Sequence, residues 1–136
     1  MTTKIKVGIV GSRAYTNKKK VKDLIFDIKQ KNPDAEIVSG GQREGADGFA
    51  KKFALELGMN YVEFPPVHYR WNMHCKLPAS QYDRPYYVSN YFKRNKQIAE
   101  YSDIIVAFIP EGVESNGTKN TIQYAEKLKK LIKILT

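Results

Sequence analysis

Three glycine-containing segments constrain this chain more than any other feature of its sequence. They are residues 11–13, 39–47 and 115–118, and each lies between an apolar run and a stretch with helical spacing. In a parallel α/β sheet, the loops that follow the carboxyl ends of the strands all meet at one edge. Free N–H groups at the next helix N-termini let an anion approach closely there. The pattern therefore predicts a site for a phosphate-bearing, nucleotide-like ligand.

The apolar runs have the character of buried parallel strands. Val7 to Val10 and Ile104 to Ile109 are continuous rather than alternating, as expected when helices cover both faces of a sheet. The predicted strands are 5–10, 36–39, 60–64, 104–109 and 131–135.

The segments between these strands have the 3.6-residue period of amphipathic helices. An apolar stripe from Val21 to Ile28 follows Thr16 or Asn17, either of which is suited to cap a helix. Further helices are predicted at 46–57, 89–101 and 117–130, and Ser89 or Asn90 is the expected cap of the third helix. The resulting order of elements is βαβαβ, a loop, and αβαβ.

This order predicts an α/β fold, a three-layer Rossmann-like doubly wound parallel sheet of about five strands in the order 3-2-1-4-5. Residues 1–136 are expected to form a single domain, with a long loop excursion at about 65–88 that holds four of the six prolines. Strands 1 and 4 are then neighbours whose connections leave to opposite faces. A ligand crevice is expected between them.

Charge and cysteine content limit the function classes. The formal net charge of +9 favours a phosphate-bearing partner. Only five of the 23 basic residues are arginines, however, and most lysines lie on predicted helix exteriors, so nucleic-acid binding is possible but less expected. A single cysteine, no apolar signal segment and no run long enough to cross a bilayer predict a cytoplasmic protein without membrane association.

The predicted ligand-binding residues come from the three segments and from the third helix. Glycines there also have a plain structural explanation as tight turns, and Asp47 is suited equally to stabilising its helix N-terminus and to binding a ribose. The full set is Gly11, Ser12, Arg13, Ser39, Gly40, Gly41, Arg43, Gly45, Asp47, Arg94, Asn95, Ser115, Asn116, Gly117 and Thr118.

Aromatic residues are concentrated in and after the 65–88 excursion. Most are expected to pack the excursion onto the domain or onto a second copy of the chain, and a homo-oligomer is predicted on this basis. Trp71 and Tyr91 are the best candidates for stacking on a nucleobase. His68, His74 and Cys75 match no familiar metal-ligand spacing, so neither a metal nor a resident cofactor is predicted.

These motifs resemble the YspA/YpsA-related branch of the SLOG superfamily. The resemblance rests on Gly-Ser-Arg at 11–13, Ser-Gly-Gly-x-x-x-Gly-Ala-Asp at 39–47, Arg94-Asn95, and Gly117-Thr118. It implies a Rossmann-like domain related to the Lonely Guy phosphoribohydrolases, to DNA-processing protein A, and to sensors of nucleotide-derived signals. Lonely Guy enzymes carry a catalytic glutamate where this chain has Thr121, and threonine cannot act as a carboxylate base.

The leading hypothesis is therefore a sensor or sequestering protein for a nucleotide or an ADP-ribose-like derivative, without confident catalytic residues. One alternative is an N-glycosidic or phosphoester hydrolase that uses Asp47, Glu44 or Glu111 as acid or base. Another is a single-strand nucleic-acid binder, which the net charge favours.

Overall fold

The computed structural model describes residues 4–136, and its sheet has the predicted order β3-β2-β1-β4-β5 with all neighbouring strands parallel. The strands are β1 (Lys6–Gly11), β2 (Glu36–Ser39), β3 (Asn60–Glu63), β4 (Ile104–Phe108) and β5 (Leu131–Leu135). The helices are α1 (Lys18–Lys31), α2 (Gly45–Glu56), α3 (Ser89–Tyr101) and α4 (Asn116–Lys127), with one 3₁₀ turn at Ala79–Gln81. The predicted α/β class and strand order are confirmed.

Two apolar cores lie on opposite faces of the sheet, which explains the continuous apolar runs. In β1, Val7 and Ile9 face α1 and α2, whereas Val10 faces α3 and α4. In β4, Phe108 lies on the first face and Ile105 on the second. Side chains of a strand alternate between faces, so a strand covered on both sides needs apolar residues at every position.

Helix termini depart from the prediction in one place. Asn17 caps α1 and accepts a hydrogen bond from the Lys20 N–H, as expected. In α3, however, the cap prediction is wrong, because the N-cap is Val88, which makes no side-chain capping bond. Asn90 lies inside the helix, and its amide is within hydrogen-bond distance of His68 and of the Pro85 carbonyl. Its side chain therefore fastens the preceding loop instead of capping the helix.

The 65–88 loop packs along the outer edge of β3. The Glu63 N–H donates to the His74 carbonyl and the Lys76 N–H donates to Glu63, so Cys75 forms an isolated parallel bridge with the strand. The loop thereby covers the carboxyl end of this edge strand, where the Glu63 backbone groups would otherwise be unpaired. Within residues 4–136 no helix has the length and apolar character needed to cross a membrane.

Candidate functional site

A cavity of about 540 Å³ opens at the carboxyl ends of β1 and β4, where the strand order reverses. We call it the central cavity. It is lined by Val10, Gly11, Ser12, Arg13, Gln42, Asp47, Tyr86, Tyr91, Arg94, Asn95, Ile98, Ser115, Gly117, Thr118 and Thr121. All three glycine-containing segments and α3 contribute to this lining, so the crevice expected from the topology is present.

Close backbone approaches hold the β1–α1 and β2–α2 loops against each other. A Cβ on Gly45 would lie 2.2 Å from the Ser12 carbonyl oxygen, and Gly45 has a φ of +66°. A Cβ on Gly11 would lie 2.4 Å from the Phe108 carbonyl oxygen. Neither position has room for a side chain, so these two glycines serve the packing of the loops that form the cavity floor.

Arg94 is the most buried cation of the central cavity, with 7% of its surface exposed. Its Nη1 donates to the Gly40 carbonyl at 2.7 Å and its Nε donates to the Asn95 side chain at 3.0 Å. Helix α3 thus presents one guanidinium both to the β2–α2 loop and to the cavity. Burial lowers the pKa of Arg94, and the neighbouring Asp47 carboxylate opposes that effect.

Asp47 lies in the first turn of α2 and is also buried. Burial raises the pKa of Asp47 to about 6, against the opposing influence of Arg94 and of the nearby Gly40 and Gln42 backbone N–H groups. A Cβ on Gly40 would collide with both the Arg94 guanidinium and the Asp47 carboxylate. The glycine therefore allows a cation and an anion to approach the same stretch of backbone.

The N-terminus of α4 forms the opposite wall. Its N-cap, Ser115, makes no side-chain bond to the helix backbone and instead pairs with the Thr118 hydroxyl at 2.7 Å. The Asn95 amide donates to the Gly117 carbonyl at 3.3 Å, and Thr121 donates to the same carbonyl at 3.2 Å. The first-turn N–H groups of α4 thus have no side-chain cap while the helix itself is held in place.

Gly117 has no structural reason to be glycine. Its φ is not positive, and a Cβ there would meet nothing within 4 Å. Gly117 lines the central cavity from the first turn of α4, and the space beside its α-carbon is open.

Arg13 and Gln42 stand at the rim. In the amide orientation that satisfies both residues, the Gln42 oxygen accepts from Arg13 Nε at 3.0 Å and from Nη2 at 2.9 Å. Tyr86 and Tyr91 form an aromatic wall, and the His68 ring contacts both edge-on at centroid distances of 4.8 and 5.3 Å. Burial lowers the pKa of His68, and Arg94 adds to that effect.

A second cavity of about 850 Å³, the lateral cavity, lies between α2 and the 65–88 loop. Its lining is Arg13, Gly41, Gln42, Arg43, Glu44, Gly48, Lys51, Lys52, Leu55, Glu63, Pro65, Tyr69, Arg70 and Asn72. Arg13 and Gln42 line both cavities, so the two are neighbours across this one pair of side chains.

Glu63 is a buried carboxylate at the base of the lateral cavity. It is 3.0 Å from Lys51 Nζ, and it accepts from Tyr61 at 2.9 Å and Asn72 at 2.8 Å. Burial alone would raise the pKa of Glu63, but these partners outweigh it and hold the pKa below its usual value. Ser39 completes the network through a 2.6 Å bond to the Tyr61 hydroxyl.

The central cavity gathers nine of the predicted residues. They are Gly11, Ser12, Arg13, Asp47, Arg94, Asn95, Ser115, Gly117 and Thr118. Gly41 and Arg43 line the lateral cavity instead, whereas Ser39 is buried in the Glu63 network and Gly40 and Gly45 support the loops. Asn116 is exposed and lines neither cavity.

Of the two predicted stacking residues, Tyr91 lines the central cavity, but Trp71 lines neither cavity and is 48% exposed. Sequence reasoning did not select Gln42, Tyr86 or Ile98 as site residues. Gln42 lies inside the 39–47 segment, which was a usable signal. Tyr86 could be found only from the path of the loop, because several tyrosines in that region look alike.

The carboxylates considered for catalysis do not converge on the central cavity. Asp47 lines it, but Glu111 lines neither cavity and Glu44 lies on the lateral one. Within residues 4–136 there is no cluster of three or more His, Cys, Asp or Glu residues arranged to hold a metal.

Comparisons with known proteins agree with this architecture. Residues 5–74 match the model of the YspA, cpYpsA-related SLOG family, a range that includes β1, the β2–α2 loop and Asp47. A search of curated proteins gave no match.

Among solved structures, similar folds include two proteins named for the molybdenum cofactor. The molybdenum cofactor binding protein of Rippkaea orientalis has a TM-score of 0.72 at 19% identity, covering 98% of this chain and 77% of that one. The molybdenum cofactor carrier protein of Chlamydomonas reinhardtii has a TM-score of 0.70 at 20% identity, covering 97% and 76%. At this level of identity the likeness establishes the shared fold.

Proposed function

Because this chain belongs to the YspA, cpYpsA-related SLOG family, we propose that it binds a nucleotide or a nucleotide-derived ligand of the ADP-ribose type in the central cavity. The single observation that carries the proposal is Gly117. A glycine that neither packing nor backbone conformation requires lies in the first turn of α4, facing an open cavity. Close approach of a ligand to the helix N-terminus explains it.

The phosphate is assigned to this N-terminus. The uncapped N–H groups of α4 and the positive end of its dipole favour an anion. Arg94, with Nη2 free of hydrogen bonds to residues 4–136, and Arg13 add positive charge from two other sides. Arginine suits this role because its planar donors match phosphate oxygens.

The remaining volume suits a sugar and a base. A cavity of about 540 Å³ falls within the range of roughly 300–1,000 Å³ that is usual for small-molecule sites. Asp47 can accept from ribose hydroxyls, and Tyr91 and Tyr86 offer aromatic surface for a base. Tyr91 also lies 5.9 Å from the Arg94 guanidinium, which places stacking and charge recognition side by side.

The site is a binding site rather than a hydrolytic one in this proposal. Thr121 directs its hydroxyl to the Gly117 carbonyl, so the position at which Lonely Guy enzymes carry a glutamate has a structural role here. Among residues 4–136, Asp47 is the one carboxylate that lines the central cavity, and hydrolysis through an acid and a base requires a second group.

A second candidate ligand is the molybdenum cofactor. The observation in its favour is the common fold with proteins named for binding or carrying that cofactor, over nearly the whole chain. The cofactor is a phosphorylated pterin, so the same α4 anion site and aromatic wall would hold it. In this case the molybdenum cofactor would be cargo rather than a resident group.

Mass spectrometry of small molecules released from the purified full chain, followed by calorimetric titration, tests the proposal. AMP, ADP-ribose, the molybdenum cofactor and a ten-nucleotide single strand of DNA are titrated separately. Sub-millimolar one-to-one binding of a small ligand supports it, and the tighter ligand decides between nucleotide and cofactor. Binding of the oligonucleotide alone, weakening steeply with salt, would instead support nucleic-acid recognition.

A chromatographic assay addresses the enzyme alternative. The wild-type chain is incubated with AMP and with ADP-ribose, and release of free base or ribose phosphate is followed. We expect no product. Sustained turnover that is lost in Asp47→Asn would overturn the binding-only function.

A further inference from the structure

The lateral cavity concentrates unpaired positive charge. Arg43, Lys52 and Arg70 line it and are exposed, and within residues 4–136 none of them forms an ion pair. Arg13 adds a fourth cation at the border with the central cavity. Four like charges around one cavity repel one another, and an anion in the cavity would relieve this repulsion.

The negative groups of the same lining do not neutralise these cations. The charge of Glu63 is balanced by Lys51 at 3.0 Å, and two neutral donors complete its hydrogen bonds. Glu44 is the remaining carboxylate, and it is exposed at the edge. The lining outside the Lys51–Glu63 pair therefore carries four positive charges against one negative charge.

The backbone around the lateral cavity is closely packed. A Cβ on Gly48 would lie 2.2 Å from the Arg43 carbonyl oxygen. Gly41 has a φ of +77°, and a Cβ there would lie 2.9 Å from Glu63 Oε2. The loop that carries Arg43 is thus held against α2. The backbone at Arg43 is therefore held at the wall of the lateral cavity, and its side chain is exposed there.

Arg13 connects the two cavities. Its Nε and Nη2 are used by Gln42, whereas Nη1 has no hydrogen bond to residues 4–136. A ligand lying across the Arg13–Gln42 pair would contact both cavities, each with its own cations. A nucleoside monophosphate such as AMP has one phosphate group and leaves the second set of cations unused.

We propose that the lateral cavity is a second anion subsite, so that the ligand carries two anionic groups, one at α4 and one beside Arg43, Lys52 and Arg70. This extends the proposed function, on which the first of the two subsites rests. The ligand class is then a compound with two anionic groups, such as one in which a diphosphate joins two moieties, rather than a nucleoside monophosphate.

The test titrates inorganic pyrophosphate into the ¹⁵N-labelled full chain and follows the backbone amide signals by NMR. Gly117 lines only the central cavity and Gly48 only the lateral one, so their amide signals report the two subsites separately. Both signals are expected to shift, with separate saturation curves. Constant ionic strength removes nonspecific screening effects.

A double variant, Lys52→Gln with Arg70→Gln, removes two cations from the lining of the lateral cavity. Neither side chain forms an ion pair with residues 4–136. It should weaken the Gly48 response at least about tenfold and leave the Gly117 response unchanged. Lys96→Gln with Lys127→Gln removes the same charge outside both cavities and is the matched control. A Gly48 response that is absent, or equal in wild type and double variant, would overturn the second subsite.

The two proposals fail in different ways. A Gly117 response without a lateral one leaves the proposed function standing and ends the inference. A lateral response without one at Gly117 contradicts phosphate binding at α4 and, with it, a ligand that places one anionic group in each cavity. In titrations, the double variant should bind ADP-ribose at least about tenfold more weakly than the wild type does. Its affinity for AMP should be unchanged.

Discussion

Arg94 Nη1 donates a 2.7 Å hydrogen bond to the carbonyl of Gly40, which is 54 residues away in the chain. This bond joins α3 to the β2–α2 loop at the edge of the central cavity. The same guanidinium therefore stabilises the loop and supplies charge to the site. If the proposed function holds, binding and stability are coupled at this residue, so variants must be measured for both.

Arg94→Ala should lower both the affinity for the ligand and the stability of the fold. Loss of a charged hydrogen bond to ligand should weaken binding by about 1.5–3 kcal/mol. The free energy of unfolding should fall by about 1.5–3 kcal/mol, because the variant removes the charged hydrogen bonds of Arg94 to Gly40 and Asn95. Titration calorimetry and urea unfolding measure the two effects. Arg94→Lys keeps the charge and should lose less, and an Arg94→Ala protein with full affinity would contradict the assignment.

Gly117→Asp should abolish binding without unfolding the chain. Its side chain enters open space, and a carboxylate in the first turn of a helix is favourable for folding. A like charge facing the phosphate should weaken binding on the order of 100-fold or more. Asn116→Asp is the matched control, because it adds the same charge one residue earlier, outside the cavity lining. Binding by Gly117→Asp with the affinity of the wild type would rule out an α4 phosphate site.

Asp47 should make stability depend on pH. The pKa of Asp47 rises from 3.8 to about 6 on folding. The stability that Asp47 contributes is therefore fully present below its unfolded pKa and is lost as pH rises through about 6. The loss amounts to about 3 kcal/mol between pH ~4 and ~7. Urea unfolding of wild type and Asp47→Asn across this window measures it. Parallel pH profiles for the two proteins would show that Asp47 does not titrate there.

Glu63→Gln should loosen the 65–88 loop. The pKa of Glu63 is lowered, so the stability that it contributes is present above its unfolded pKa and is lost as pH falls through the folded value. At neutral pH the variant should unfold more easily by about 1–3 kcal/mol. Hydrogen exchange should accelerate at the Lys76 N–H, which donates to the Glu63 carbonyl, and at the Glu63 N–H, which donates to His74. Protection equal to wild type would refute this role.

The exposed apolar residues around the start of α3 should form a contact between two copies of the chain. Tyr87 and Val88 are each 63% exposed and Phe92 is 46% exposed, which is unusual for apolar residues so close together. Light scattering is expected to give at least a dimer, and Phe92→Glu is expected to dissociate it. A wild-type mass of 15.6 kDa across micromolar concentrations would disprove the prediction.

Local patterns were sufficient for the fold. Apolar runs such as Ile104–Ile109 indicate buried strands, and apolar stripes such as Val21–Ile28 indicate the buried faces of helices. Because the connections between parallel strands are right-handed, few strand orders are then compatible with the sequence of elements. Strand boundaries were correct to within about one residue, the usual uncertainty of such assignments. The cap of α3 was missed because Asn90 has a partner, His68, that lies 22 residues away.

Sequence alone determined the family, the doubly wound sheet and the edge at which its loops converge, because these depend on periodicity and on short motifs. Only the tertiary structure decided which side chains share a cavity. Arg94 donates a hydrogen bond to Gly40. Gly41 and Arg43 line the lateral cavity instead of the central one. Tyr86 rather than Trp71 lines the central cavity. Such choices depend on the path of an aperiodic loop and on contacts between distant segments, and no local pattern encodes either.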